Sequence, residues 1–82
     1  MYYVYLLQSV ACPTQHYTGF TTDLKQRLAR HNAGYNRATA AGRPWGISCY
    51  TAFPDASTAL AFERYLKSGS GRTFAKRHFA VR

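Results

Sequence analysis

From Tyr2 to Leu7 every residue is apolar or aromatic. A run apolar on both faces predicts a central strand, Tyr2 to Gln8, covered on both sides. Tyr3, Tyr5 and Leu7 share one face of that strand, and Tyr2, Val4 and Leu6 the other. Ser9 to Gln15, with Pro13 inside it, reads as a loop, and His16 to Thr21 as a second strand. A connection of this length suits an antiparallel hairpin. Gly19 interrupts the second strand, and a glycine there marks close approach of a ligand or of another backbone. Asp23 precedes Gln26 by the spacing of a capping box, so a helix is expected from Leu24 to about Ala33. Leu24, Leu28 and His31 recur along one face of it, and Gly34 is its stop.

Gly34 to Pro44 carries Arg37 and Arg43 among small residues and reads as an exposed basic loop with room for a helical turn. Trp45 to Phe53 is a third strand, ended by Pro54. A second helix starts at Asp55 or Ser57 and runs to about Ser68, with Ala59, Phe62 and Leu66 as its apolar stripe and Gly69 as its stop. The last segment opens with a flexible Gly/Ser turn. Phe74, His78 and Val81 then recur at helical spacing among Arg72, Lys76, Arg77 and Arg82, which predicts a short basic helix. The order β-β-α-β-α-α gives an α+β fold, a three-stranded antiparallel sheet flanked by helices. At 82 residues the chain is expected to form one domain, residues 1–82.

Charge narrows the function. Eleven Lys and Arg against three acids leave a net charge of +8. That balance points to a polyanionic partner, nucleic acid before others, over a cationic protein whose charge only maintains solubility. Cys12 and Cys49 are too far apart for a CxxC pair, and Cys12 with His16 finds nothing to complete a zinc set, so reduced thiols are expected. Tyr2 to Leu7 is far too short to span a membrane and no basic segment precedes it, so the expected compartment is the cytoplasm.

Four residues stand out as chemistry. Arg27 and His31 lie one turn apart on a helix face that borders the core. Arg27 can hold a phosphate through paired hydrogen bonds, or simply be solvated. His31 can be a base or phosphate contact, or a hydrogen-bonded histidine at the core edge. Tyr17 sits beside Gly19, just before that helix. Glu63, the chain's one glutamate, sits at the edge of an apolar stripe, where a carboxylate needs a partner. That partner is a divalent cation, or else Arg27 or Lys67 in an ion pair.

The order and spacing of five short motifs resemble the GIY-YIG nuclease superfamily. They are Tyr3-Val4-Tyr5 with Tyr17-Thr18-Gly19, the helix DLKQRLARHNAG, Gly42–Trp45, Phe53–Pro54, and Ala59–Lys67. The likeness spans essentially the whole chain. It is closest to the small stand-alone bacterial members and to the catalytic domain of the structure-selective, junction-cleaving nuclease subunit. Tyr3 stands where the superfamily has glycine, Thr18 where it has isoleucine, and no asparagine follows Glu63.

The resemblance implies a metal-dependent endonuclease acting on DNA, including branched or damaged DNA, with RNA the lesser alternative. It implies one Mg²⁺ or Mn²⁺ on Glu63 and Arg27 on the crowded phosphorus. Tyr17 would help to deprotonate the attacking water, oriented by Tyr5 and His31. Lys25, Arg37, Arg43, Arg72, Lys76 and Arg77 are the expected nucleic-acid contacts, and a partner protein would supply targeting. The alternatives are a non-catalytic nucleic-acid-binding module of the same fold and a small basic RNA-associated protein.

Overall fold

The computed structural model describes residues 1–79, so Val81 and Arg82 of the expected terminal helix lie outside the described residues. Strands β1 (Tyr2–Ser9), β2 (His16–Thr21) and β3 (Trp45–Phe53) form one antiparallel sheet in the order β2-β1-β3. Helix α1 (Leu24–Ala33) joins β2 to a short 3₁₀ turn (Ala40–Gly42), and α2 (Ala56–Leu66) and α3 (Gly69–His78) follow β3. The architecture is the expected α+β order.

The central place of β1 explains its unbroken apolar run. Val4 and Leu6 face a core with Ala59 and Leu66 of α2 and Ala75 of α3. Tyr5 and Leu7 face the other side, with Trp45 and the half-buried Tyr17, Leu24 and Leu28. Each fully buried aliphatic side chain contributes about 1.5–3 kcal/mol, so a one-residue slip of β1 would forfeit both cores at once. A bulge between Leu6 and Leu7 against β3 adjusts the register near the Trp45 end.

The helix ends follow local chemistry. The Asp23 carboxylate accepts from the Gln26 amide at 3.0 Å, and the Asp23 amide itself donates to Thr21 Oγ1 at 3.0 Å. Thr21 thus occupies the amide that a full capping box would give to the Gln26 side chain. Gly34 ends α1 at φ 86°, in the left-handed region. Asp55 caps α2 by accepting from the Thr58 amide at 2.8 Å.

Two expectations need correction. Gly69 does not stop α2, and the Gly/Ser segment is no flexible turn. Helix α2 ends at Leu66, Ser68 caps α3 by accepting from the Gly71 amide at 3.1 Å, and Gly69 is the first helical residue. A Cβ on Gly71 would overlap the Tyr65 carbonyl, so glycine lets the two helices meet at a sharp corner, whereas Gly69 faces open space. Gly71→Ala is therefore expected to cost about 1–3 kcal/mol by overpacking. Gly69→Ala should be neutral or stabilising by up to about 1 kcal/mol. Thermal melts of the two variants check this, and equal melting temperatures would show that the corner tolerates a side chain.

The segment before β3 is also less exposed than expected. Thr39 and Gly42 are buried within it. The Trp45 indole donates to the Thr39 carbonyl at 2.7 Å, and Ser9 Oγ donates to the Gly42 carbonyl at 2.7 Å. Asn32 at the end of α1 accepts from the Trp45 amide at 2.6 Å and donates to its carbonyl at 3.0 Å. A loop tied at both ends to β1, α1 and β3 is a rigid part of the scaffold.

Candidate active site

Tyr5 is the centre of the site. On β1 it points toward α1, and its register partner on β2 is Gly19. A Cβ at Gly19 would overlap the Tyr5 ring and hydroxyl, so the glycine makes room for a neighbouring side chain rather than for a ligand or backbone. The Tyr5 hydroxyl lies 2.9 Å from His31 Nε2, and His31 Nδ1 lies 2.8 Å from Thr39 Oγ1. Tyr5 and His31 are each only 1% exposed.

The remaining residues gather around this pair. Tyr17, two positions before Gly19 and so on the same strand face, sets its ring at an edge 5.0 Å from His31 and 6.5 Å from Tyr5. It is half-buried, and its hydroxyl accepts from Asn36 Nδ2 at 3.4 Å. Arg27, one turn before His31, and Glu63 on α2 are near enough for their charges to act on the Tyr5 phenol, Arg27 the more strongly. Glu63 also pairs with Lys67 at 3.4 Å, the second of the two ion-pair partners considered from sequence.

Electrostatics sets the protonation states. Burial, aided by Tyr17 and Glu63 and opposed by Arg27, pushes the Tyr5 phenol up to about 12. Tyr5 therefore holds its proton at any working pH. Burial, and then the Arg27 charge, pushes His31 below its ordinary 6.5, so its ring is neutral near pH 7.

That depression predicts an acid-sensitive fold. The unfolded chain binds a proton on His31 that the folded chain refuses, so stability falls as pH drops below 6.5 and levels off beneath the lowered folded value. Asp55, held below its ordinary 3.8 by hydrogen bonds from Thr58 and Ser57, acts only in a more acidic window. Melting temperatures taken from about pH 8 to about pH 5 should be level and then decline. A rise on acidification would mean that His31 is charged in the fold.

The basic residues divide by place. One cavity of about 560 Å³ is lined by Arg27, Arg30, His31, Arg37 and Asn36. A second, also about 560 Å³, is lined by Tyr17, His16, Lys67, Arg72 and Lys76 over a floor that includes Leu6 and Leu66. Lys25, Arg43 and Arg77 line neither. The Arg43 Nε donates to the Ala40 carbonyl at 2.6 Å, and its guanidinium lies over Gly34, so Arg43 also braces the loop. Sequence reasoning missed Asn32, Asn36 and Thr39. Nothing in their polar, locally featureless stretch signals that it folds back onto α1.

The acids are sparse. Two of the chain's three, Asp23 and Asp55, cap helices, which leaves Glu63 at the site. Among the described residues no three His, Cys, Asp or Glu side chains cluster for a metal ion, and both cysteines are free. Such a set does not make a zinc centre. It fits a hard divalent ion that takes most of its ligands from water and phosphate.

The sheet carries paired tyrosines on its first two strands, with Arg27 and His31 of α1 beside them and the Glu63 carboxylate of α2 near enough to act on Tyr5, all within one α+β domain. The chain belongs to the GIY-YIG family: the model of the GIY-YIG catalytic domain matches residues 1–77. Members of this family are generally nucleases. The chain is also similar to UPF0213 proteins of Streptococcus pyogenes serotypes M3 and M1, each 38% identical over 72 residues, covering 87% of this chain and 76% of the relative. A UPF0213 protein of serotype M5 is 36% identical over the same span. Among the described residues no helix is long and apolar enough to cross a membrane.

Proposed function

We propose that this domain is a metal-dependent endonuclease that hydrolyses phosphodiester bonds in DNA. The observation that supports it is the gathering of Tyr17 from β2, Arg27 and His31 from α1, and Glu63 from α2 around Tyr5 of β1. Arg27 binds the phosphate and stabilises the charge that builds on it in the transition state. Tyr17, the more open tyrosine, acts as a phenolate and takes the proton of the attacking water to become the neutral phenol, since Tyr5 is held in its protonated form. Tyr5, held in turn by His31, orients that water. Glu63 would hold one Mg²⁺ or Mn²⁺, which would supply neutralisation of the charge on the leaving oxygen.

Arg30 and Arg37 on one side of the tyrosine cluster, and Lys67, Arg72 and Lys76 on the other, extend the phosphate track. His16 Nε2 lies buried beside the second group without a hydrogen-bond partner. With a net charge of +8, duplex or branched DNA should bind with a log–log salt slope of about −0.9 for each phosphate neutralised. Titrations at several salt concentrations measure the slope, and an affinity independent of salt would contradict the track.

A non-catalytic binding module is the second reading, favoured by the Glu63–Lys67 ion pair. Incubation of the protein with branched, single-stranded and duplex DNA, in Mg²⁺, Mn²⁺ or EDTA, separates the two. Cleavage that EDTA stops is expected. Salt-sensitive binding without cleavage on every substrate would leave the binding module.

A further inference from the structure

We infer that Thr39 is a positioning residue that sets which nitrogen of His31 carries the proton, and thereby turns the Tyr5 oxygen toward the site as an acceptor. The kinetic consequence rests on the function proposed above. The tautomer itself is a property of the free protein.

The His31 ring lies between two hydroxyls, Tyr5 at Nε2 and Thr39 at Nδ1. A neutral imidazole has one donor and one acceptor, so the two hydroxyls must take opposite roles. Each hydroxyl has a further neighbour that decides which. Thr39 Oγ1 has a second, longer acceptor in the Asn36 carbonyl at 3.4 Å, so its hydrogen has a place to go while its lone pairs receive an N–H at Nδ1. The Tyr5 oxygen is within reach of the Arg27 guanidinium, which only donates, so the phenol hydrogen is left for Nε2. Both ends select the Nδ1–H tautomer. In the opposite tautomer the Tyr5 oxygen would face two donors, and its own hydrogen would be buried without an acceptor, which is costly.

Thr39 is held for this task. It is fully buried, its carbonyl receives the Trp45 indole at 2.7 Å, and its amide donates to the Asn36 carbonyl at 3.2 Å. Trp45 is in turn clamped by Asn32 on the same helix as His31. The hydroxyl therefore cannot drift from Nδ1 without moving the start of β3. With its hydrogen committed to His31, Tyr5 offers lone pairs to the hydrogen of an attacking water.

The test is long-range ¹H–¹⁵N NMR of the His31 ring in the full chain near neutral pH, assigned by comparison with His31→Gln. Parent protein should show Nδ1 protonated. Thr39→Val, which keeps the shape and removes the hydroxyl, should move the proton wholly or partly to Nε2. Thr39→Ser, which keeps the hydroxyl, should retain the parent pattern. Cleavage by the Val variant should drop about ten- to a hundredfold in kcat with KM little changed, while Ser retains activity. A parent protonated at Nε2 overturns the proposal even if the Val variant does not fold. So does a folded Val variant with the parent tautomer, or one with an altered tautomer and parental kcat. A parent that cuts no DNA would refute the proposed function and leave the tautomer result standing.

Discussion

Glu63→Gln is expected to abolish cleavage while leaving DNA affinity unchanged or higher. The amide keeps the shape of the carboxylate and loses the charge that holds a divalent ion. Its structural cost should be small. Glu63 is 20% exposed and its partner Lys67 53%, and an exposed pair four residues apart on a helix contributes about 0.3–0.5 kcal/mol. A metal that stabilises a transition state is worth several kcal/mol. The two roles thus differ by about an order of magnitude and cannot be confused in a rate measurement. Affinity should not fall, because one negative charge leaves a site that receives phosphate. Single-turnover cleavage and a binding titration on the same preparation check both halves. A Gln variant as active as the parent would reduce Glu63 to an ion-pair partner and remove the metal from the scheme.

Tyr17→Phe is expected to slow cleavage by at least about a hundredfold, the low end of general-base contributions. The ring would still pack against His31, and the one bond lost is the long 3.4 Å donation from Asn36. The melting temperature should therefore change little. The competing base is His31, and pH separates them. A tyrosine base gives a rate that keeps climbing into the alkaline range. A His31 base would reach its plateau at a lower pH than an ordinary histidine, because burial and Arg27 lower its pKa. His31→Ala is a poor control, since it opens a cavity and strands the Tyr5 and Thr39 hydroxyls, so its losses would mix stability with chemistry. Normal cleavage by Tyr17→Phe, with a rate that stays level through the alkaline range, would move the base to His31.

The fold was legible wherever the controlling signal is local. The Asp23 and Asp55 caps, the Gly34 stop and the run of β1 each announce an element within a few residues. The same local reasoning failed at Ser68 to Gly71. There glycine marks the place where two helices collide, and only the position of the Tyr65 carbonyl reveals it. Gly19 was a half-success. Its lack of a side chain is required, but by Tyr5, which is 14 positions earlier in the chain and opposite it in the sheet.

For the site, the resemblance singled out Tyr5, Tyr17, Arg27, His31 and Glu63, and helical spacing alone put Arg27 beside His31. By itself the amino-acid sequence determined the order of strands and helices, the two-sided core around β1 and the net charge of +8. These follow from periodicity, caps and composition, which a chain carries before it folds. Only the tertiary structure decided that His31 is neutral and Tyr5 a locked phenol. It alone decided that Thr39 belongs to their network, and that Lys67 rather than Arg27 pairs with Glu63. Protonation and pairing depend on desolvation and on charges a few ångströms away, and those neighbours come from segments as far apart as the 26 residues between Tyr5 and His31.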